Sequence, residues 1–267
     1  MSALKIGLIG YGTIASDVLQ ELCVWEGRIV EWAALLRSDS TRQVPESIRT
    51  FHSLDALAEW QPDLVIEAAS QAAVQEHVPQ LLCAGFNVVV TSVGALADEP
   101  TRMAAMAAAE KGRAKVIVPA GAVASTDYLG ALQGNASASV VYESRKPPAA
   151  WRDELMELGH DPDALTGELE LFFGTAQEAA LRYPKNLNVA ATLALAGVGM
   201  EQTQVRVVVD PAVGGNQHRV MVRSPLGTLE TTLVNNPAPG NPKTSWIVAR
   251  SVAHAVRKQF STLVVGG

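Results

Sequence analysis

The sequence has little cysteine. Cys23 and Cys83 are its two thiols, and neither has a cysteine neighbour or the spacing of a metal ligand. That excludes a disulfide framework and a cysteine-built zinc module, and it predicts two free thiols buried in helices in a reducing compartment. Long apolar runs are also missing. Stretches such as Val88-Val89-Val90 have strand length, far short of the ~20 residues that span a bilayer. The chain enters a strand by Leu4 with no basic segment, apolar run and cleavage site before it, so a cytoplasmic protein is expected. No block of Lys and Arg appears and the net charge is −6, which argues against a nucleic-acid partner. What remains is 267 residues, 48% hydrophobic and 18% charged, enough for one large domain or two modest ones. There is no internal repeat.

The first ~120 residues alternate short β-rich runs with helical patterns, the signal of a parallel sheet with crossover helices. Strands are expected at Leu4–Ile9, Ile29–Leu36, Leu64–Ala69, Asn87–Thr91 and Lys115–Val118. Helices are expected at Ile14–Cys23, Ser53–Glu59 with Ser53 as its cap, Ala72–Ala84 and Glu99–Lys111. After Gly121 the texture changes. Ala138–Ser144, Glu168–Phe173, Gln204–Val209, His218–Ser224 and Gly227–Leu233 read as strands of an antiparallel sheet, with helices at Ala124–Leu132 and Asn188–Leu195. This is an α+β pattern. The turn-rich Asn235–Pro242 leads into a last helix, Thr244–Gln259, expected to pack back on the first domain. The domains are thus expected at 1–121, joined by 241–267, and at 122–240.

Gly10-Tyr11-Gly12-Thr13-Ile14-Ala15 follows the first strand and opens the first helix. In that context a G-x-G-x-x-A pattern has a physical reading. Gly10 allows the tight turn, Gly12 lets a pyrophosphate approach the backbone, and Ala15 lets helix and strand pack closely. The helix entrance at Thr13 and Ile14 offers main-chain N–H groups to phosphate. A plain strand–turn–helix would need similar glycines, so the loop alone is a weak signal. The end of the second strand bears on the cofactor. Arg37 stands where NAD-binding proteins place an acid. It can face a 2′-phosphate with help from Ser38, or it is a solvated residue and Asp39 holds the ribose. NAD and NADP both stay open, with dual use expected. Ala69-Ser70 and Ser92-Val93-Gly94 occupy two further strand ends, where ligands of parallel sheets lie.

Of five histidines, His52, His77, His160 and His254 read as capping or surface residues. His218 differs, because a glycine-rich loop delivers it beside Asn216 at the start of a strand. An imidazole with an ordinary pKa of ~6.5 can move a proton near neutral pH. Tyr183–Thr192 gathers Lys185, Asn186, Asn188 and Thr192 at the entrance of an Ala-rich helix. An anionic substrate or a nicotinamide amide suits that entrance, and so does ordinary capping.

Several segments together resemble the L-aspartate dehydrogenase family. They are Gly7–Gly12, Glu67-Ala68-Ala69-Ser70, Ser92–Leu96, Gly121–Ala124, Arg145-Lys146-Pro147-Pro148, Pro184–Ala194, Asp210-Pro211 with Asn216-Gln217-His218, and Gly240–Ser245. The resemblance runs in order along nearly the whole chain. It implies a Rossmann domain joined to an α+β catalytic and dimerisation domain, hence a homodimer. It implies oxidative deamination of L-aspartate to iminoaspartate, then oxaloacetate and ammonia, with NAD or NADP, and a feed of iminoaspartate into NAD biosynthesis. By motif His218 is the catalytic residue, acting as base toward the water that attacks the imine, and Ala122 and Asn188 touch the cofactor. Ser125 stands where the family pattern has a second glycine, which leaves the nearby contact to Ala122 or Ala124. For the two carboxylates of aspartate, Lys185 is the first candidate, then Thr192 and Lys243. Two other readings compete: a reductase of the homoserine dehydrogenase or dihydrodipicolinate reductase type, and a non-catalytic NAD(P)-binding sensor.

Overall fold

The structure, a computed structural model, describes residues 3–184, 186–239 and 241–266, with the side chains of 241–243 outside the description. Lys185 and the side chain of Lys243 therefore lie outside the described residues. The chain divides into two compact units. One comprises residues up to Gly121 together with Ala249–Val264, and the other comprises Ala122–Val248 with the last residues of the chain.

The first unit is built on a six-stranded parallel sheet. Its strands are β1 (Leu4–Ile9), β2 (Val30–Leu35), β3 (Ile48–Phe51), β4 (Leu64–Glu67), β5 (Val88–Val90) and β6 (Val116–Ile117), in the spatial order β3-β2-β1-β4-β5-β6. Helices α1 (Thr13–Cys23), α2 (Leu54–Glu59), α3 (Gln71–Cys83) and α4 (Glu99–Gly112) make the crossovers. The central strands are apolar at almost every position because helices cover both faces of such a sheet. Ile6, Leu8, Leu64, Ile66 and Val88–Val90 are buried on the strands, as are Ala15, Val18, Val74 and Val78 on α1 and α3. Ser53 caps α2 as expected, its hydroxyl accepting from Ala56 N at 3.3 Å. β3 escaped the sequence reading. It is a short edge strand whose Arg49 and Thr50 are exposed, so it lacks the apolar run of its neighbours. The thiols were expected to be buried. Both are exposed, because each closes its helix at a solvent-facing position.

The second unit carries a five-stranded sheet, ordered β11-β10-β7-β9-β8. The strands are β7 (Ser139–Lys146), β8 (Leu169–Thr175), β9 (Thr203–Val209), β10 (Asn216–Ser224) and β11 (Gly227–Asn235). The expected antiparallel sheet is in fact mixed, since β7 and β9 run parallel. The connection between them, with helices α6 (Arg152–Glu157), α7 (Ala176–Arg182) and α8 (Asn188–Ala196), is long enough to bring the chain back in the same direction. Helix α5 (Thr126–Gly130) precedes β7. A small ribbon of β12 (Pro237–Ala238) and β13 (Asn241–Ser245) follows. It takes residues that the sequence assigned to the start of the last helix, because Pro242 and the β-branched Thr244 suit an extended ribbon better than a first turn.

The last helix, α9, therefore begins at Ile247 and runs to Gln259. Ala249, Val252, Ala253 and Val256 form its buried stripe at helical spacing. Arg250 Nε meets Glu21 Oε1 at 3.0 Å, and Gly121 N donates to Ser251 Oγ at 2.8 Å. Each of the two valines, fully buried, contributes roughly 1.5–3 kcal/mol. Among the described residues, no helix is long and apolar enough to cross a membrane.

Candidate active site

In the first unit, the residues singled out from the sequence collect at the C-terminal edge of the parallel sheet. Gly10 has φ +81°, and a Cβ there would lie 2.7 Å from the Cβ of Ala69. Glycine is required on both counts. A Cβ on Gly12 would meet nothing within 4 Å, so the loop faces open space where a ligand can approach the main chain. Helix α1 begins with Gly12 as its cap residue and with no side-chain cap, leaving Thr13 and Ile14 in a first turn whose N–H groups no cap side chain satisfies. This cradle fits a pyrophosphate by shape and by dipole. Gly10 N donates to Leu35 O at 3.0 Å, which sets the loop beside the end of β2, and Arg37 and Ser38 follow there. Arg37 is exposed and stands 3.6 Å from Asp39.

Glu67 ends β4 and is fully buried. Its carboxylate accepts from Ala69 N (2.8 Å), Ser70 N (3.0 Å), Thr91 N (3.2 Å), Ser92 N (2.9 Å) and Ser92 Oγ (2.9 Å). Burial raises its pKa above the ordinary value, and these donors oppose that shift. One anion thus shapes both turns that the sequence assigned to the nicotinamide half. Ser70 also caps α3, accepting from Ala73 N at 3.2 Å.

In the second unit, a set of polar side chains is buried on one face of the mixed sheet. Tyr142, Ser144 and Lys146 alternate along β7 and share that face. His218 on β10 lies opposite Ser144 in the antiparallel register. It is 3% exposed, and its Nδ1 is 2.7 Å from the Tyr142 hydroxyl. Its Nε2 is buried with no hydrogen-bond partner among the described residues. Burial, and then the charge of Lys146, push its pKa down to about 3, so the imidazole is neutral. Burial pushes the Tyr142 hydroxyl above its ordinary range, so the phenol keeps its proton. A buried polar atom left without a partner is unusual and marks a place where a ligand is expected.

The other candidate residues of this unit lie on β10, on α8 and in the turn before α5. Asn216, two residues before His218, pairs in register with Asn235, whose amide donates to Ala122 O at 2.7 Å. Ser125 adopts φ +78°, the left-handed conformation that the replaced glycine would take, and its hydroxyl is 3.2 Å from Thr231 Oγ1. The turn holding Ala122 and Ala124 therefore runs along β11. Asn188 opens α8, and its carbonyl accepts from Thr192 Oγ1 at 3.1 Å. That bond uses the Thr192 proton, so toward a ligand this hydroxyl accepts, which suits an ammonium better than a carboxylate. Lys146 Nζ reaches Asn186 O at 3.4 Å and lies 5.8 Å from the Trp151 ring, which ties β7 to the approach to α8.

Tyr142, Ser144, Lys146 and Glu67 were not among the sites read from the sequence. The signal was present for the first three. A Tyr-x-Ser-x-Lys alternation is polar on one strand face, where an ordinary core strand is apolar.

Comparisons with known proteins match the two parts of the chain separately and the whole of it together. A family pattern described as "Homoserine dehydrogenase, NAD binding domain" matches residues 10–119, and one described as "Aspartate dehydrogenase, C-terminal" matches residues 127–259. The chain is 52% identical to L-aspartate dehydrogenase 2 of Bordetella pertussis, over 98% of this chain and 99% of that protein. It is 38% identical to L-aspartate dehydrogenase of Methanosarcina barkeri at the same coverage. The crystal structure of aspartate dehydrogenase from Thermotoga maritima superposes with a TM-score of 0.75 at 25% identity, covering 99% of this chain and all of that one.

Proposed function

Since the chain belongs to the L-aspartate dehydrogenase family, we propose that it catalyses the oxidative deamination of L-aspartate with NAD or NADP. The observation that carries this reading is the neutral, buried His218 with its unpartnered Nε2, in a unit whose partner unit bears the pyrophosphate cradle. The nicotinamide, when bound, takes the hydride from Cα. The rest falls to the protein. Gly10, Gly12, Thr13 and Ile14 hold the pyrophosphate, and Arg37 and Ser38 address the 2′-position. Ala69, Ser70, Ala122 or Ala124, and Asn188 hold the nicotinamide half. Lys185, Thr192 and Lys243 are the proposed substrate ligands. Lys146 joins them because it is buried on the same face as His218.

Loss of hydride from the neutral amine leaves an iminium. Water adds to its carbon, two protons pass from that oxygen to nitrogen, and ammonium leaves as oxaloacetate forms. His218 Nε2 is the group that meets the incoming oxygen. The protein is read as a cytoplasmic homodimer whose imine product can enter NAD biosynthesis. A rate assay tests the reading. Reduced nicotinamide should appear with L-aspartate and either cofactor, and not with L-homoserine. Turnover of homoserine without aspartate would assign the chain to the reductase-like alternative, and cofactor binding with no turnover of either would make it a sensor.

A further inference from the structure

We propose that Tyr142 is a positioning residue that keeps the proton of His218 on Nε2, so that the imidazole works as a hydrogen-bond donor to the reacting oxygen. The inference rests on the reading that His218 acts at the reacting carbon, and it narrows the base role expected from the sequence.

The argument starts from the 2.7 Å contact between Tyr142 Oη and His218 Nδ1. One proton lies between these atoms, and either partner can hold it. A phenol, with an ordinary pKa of about 10, is a much stronger donor than a neutral imidazole N–H, and an imidazole nitrogen is the better acceptor. The surroundings point the same way. Were Nδ1–H to donate, the Tyr142 proton would need another acceptor inside a fully buried site. The neighbour on the same strand face is Ser144, whose Oγ makes no hydrogen bond of good geometry among the described residues and whose contact with the phenol lowers the Tyr142 pKa, the effect of a donor to that oxygen and not of an acceptor from it. With Tyr142 as donor, its proton is satisfied by Nδ1 and the imidazole proton sits on Nε2. The rings lie 6.0 Å apart and nearly parallel, at 15°, so the bond also fixes the plane of the imidazole.

The orphaned Nε2 is then a buried N–H without an acceptor among the described residues. An oxygen bonded to the reacting carbon would satisfy it: that of the adduct formed once water has added, and then that of the carbonyl that forms. The proton balance allows this. The protons of the water end on the departing nitrogen, so none has to lodge on His218. Both neutral partners stay neutral, which agrees with a phenol held protonated and an imidazole held uncharged.

Nitrogen NMR on protein labelled at histidine decides the first half. The His218 signals, assigned by their loss in His218→Gln, should show an unprotonated Nδ1 and a protonated Nε2. A protonated Nδ1 would overturn the proposal whatever the kinetics. Tyr142→Phe, which keeps the ring and removes the donor, decides the second half. It should lower kcat on the order of ten-fold, the loss that one net hydrogen bond represents, with KM for L-aspartate and Kd for NAD(P) close to wild type. An unchanged kcat would show that Tyr142 positions nothing. Should Tyr142→Phe fail to fold, the wild-type tautomer alone still decides for or against. Normal turnover in His218→Ala is a separate result: it would remove the role of His218 itself.

Discussion

Glu67 and Ser92 are joined twice. The Ser92 main-chain N–H and its hydroxyl each donate to the buried carboxylate at 2.9 Å, while Ala69 and Ser70 donate to it from the neighbouring turn. A carboxylate can accept from both turns at once. An amide cannot, because its NH2 would face main-chain N–H groups. Glu67→Gln should therefore cost about 1–3 kcal/mol, the penalty of leaving a buried donor unmet. For a chain of this size that is a fall in Tm of several degrees. The Kd for NAD(P) should rise with it, since both turns lie at the C-terminal ends of parallel strands, where the ligands of such sheets bind. A variant with the Tm and Kd of the wild type would show that the turns hold without the anion.

Ser125 occupies a left-handed conformation at φ +78°. A residue with a Cβ is strained there by roughly 1–2 kcal/mol, and glycine is not. Its hydroxyl contact with Thr231, at 3.2 Å, offsets part of that strain. Ser125→Gly should raise Tm slightly and leave the Kd for NAD(P) unchanged, because the turn already has the shape that glycine gives it. A lower Tm would mean that the contact with Thr231 outweighs the strain.

Arg37 is expected to discriminate between cofactors. Its pairing with Asp39 is long, at 3.6 Å, and both side chains are exposed, so the pair adds little to stability. A 2′-phosphate would offer Arg37 a stronger partner. Arg37→Asp should cut kcat/KM for NADP by about ten-fold or more, spare NAD, and leave Tm alone. Equal loss with both cofactors, or none with NADP, would assign the ribose to Asp39.

His218, the proposed catalytic residue, also bears on acid stability. In the unfolded chain it takes a proton below its ordinary 6.5, whereas in the fold it stays neutral down to about 3. Between those values the unfolded state binds more protons, so stability falls as pH drops through that window. His218→Gln, neutral at every pH, should show a shallower loss of Tm from pH 6.5 to 3. Equal slopes would mean that the imidazole is not held neutral. At neutral pH, His218→Ala should lower kcat about 10²–10³-fold, the loss of one donor to the reacting oxygen, with little change in cofactor Kd, read from initial rates and a binding titration.

The parallel half was legible because its signals are local. Gly10 and Gly12 fall between an apolar run and a helical period, and Ser53 and Gly85 punctuate their helices at the expected places. The mixed sheet was legible as strands but not as an order. Nothing in β7 or β9 says that they run parallel, since direction is set by the long connection between them. Helices α6 and α7 are six and seven residues long, too short for an amphipathic period to stand out. His218 could be singled out because a glycine-rich loop leads to it. Tyr142 was legible only as part of a polar strand face, and its pairing with His218 was not, because that partner lies 76 residues away in sequence.

The chain begins in the nucleotide-binding unit, leaves it at Gly121, and returns at Ala249. Val252, Ala253 and Val256, all fully buried, belong to that return. During synthesis, therefore, this unit is begun before the second one and completed after residues 122–248 have been made. Until α9 emerges from the ribosome, the surface that it will cover stays open, while most of the second unit can already have folded. The nascent chain thus carries an exposed apolar groove for most of its translation, and a transcript cut short before α9 would leave it uncovered for good.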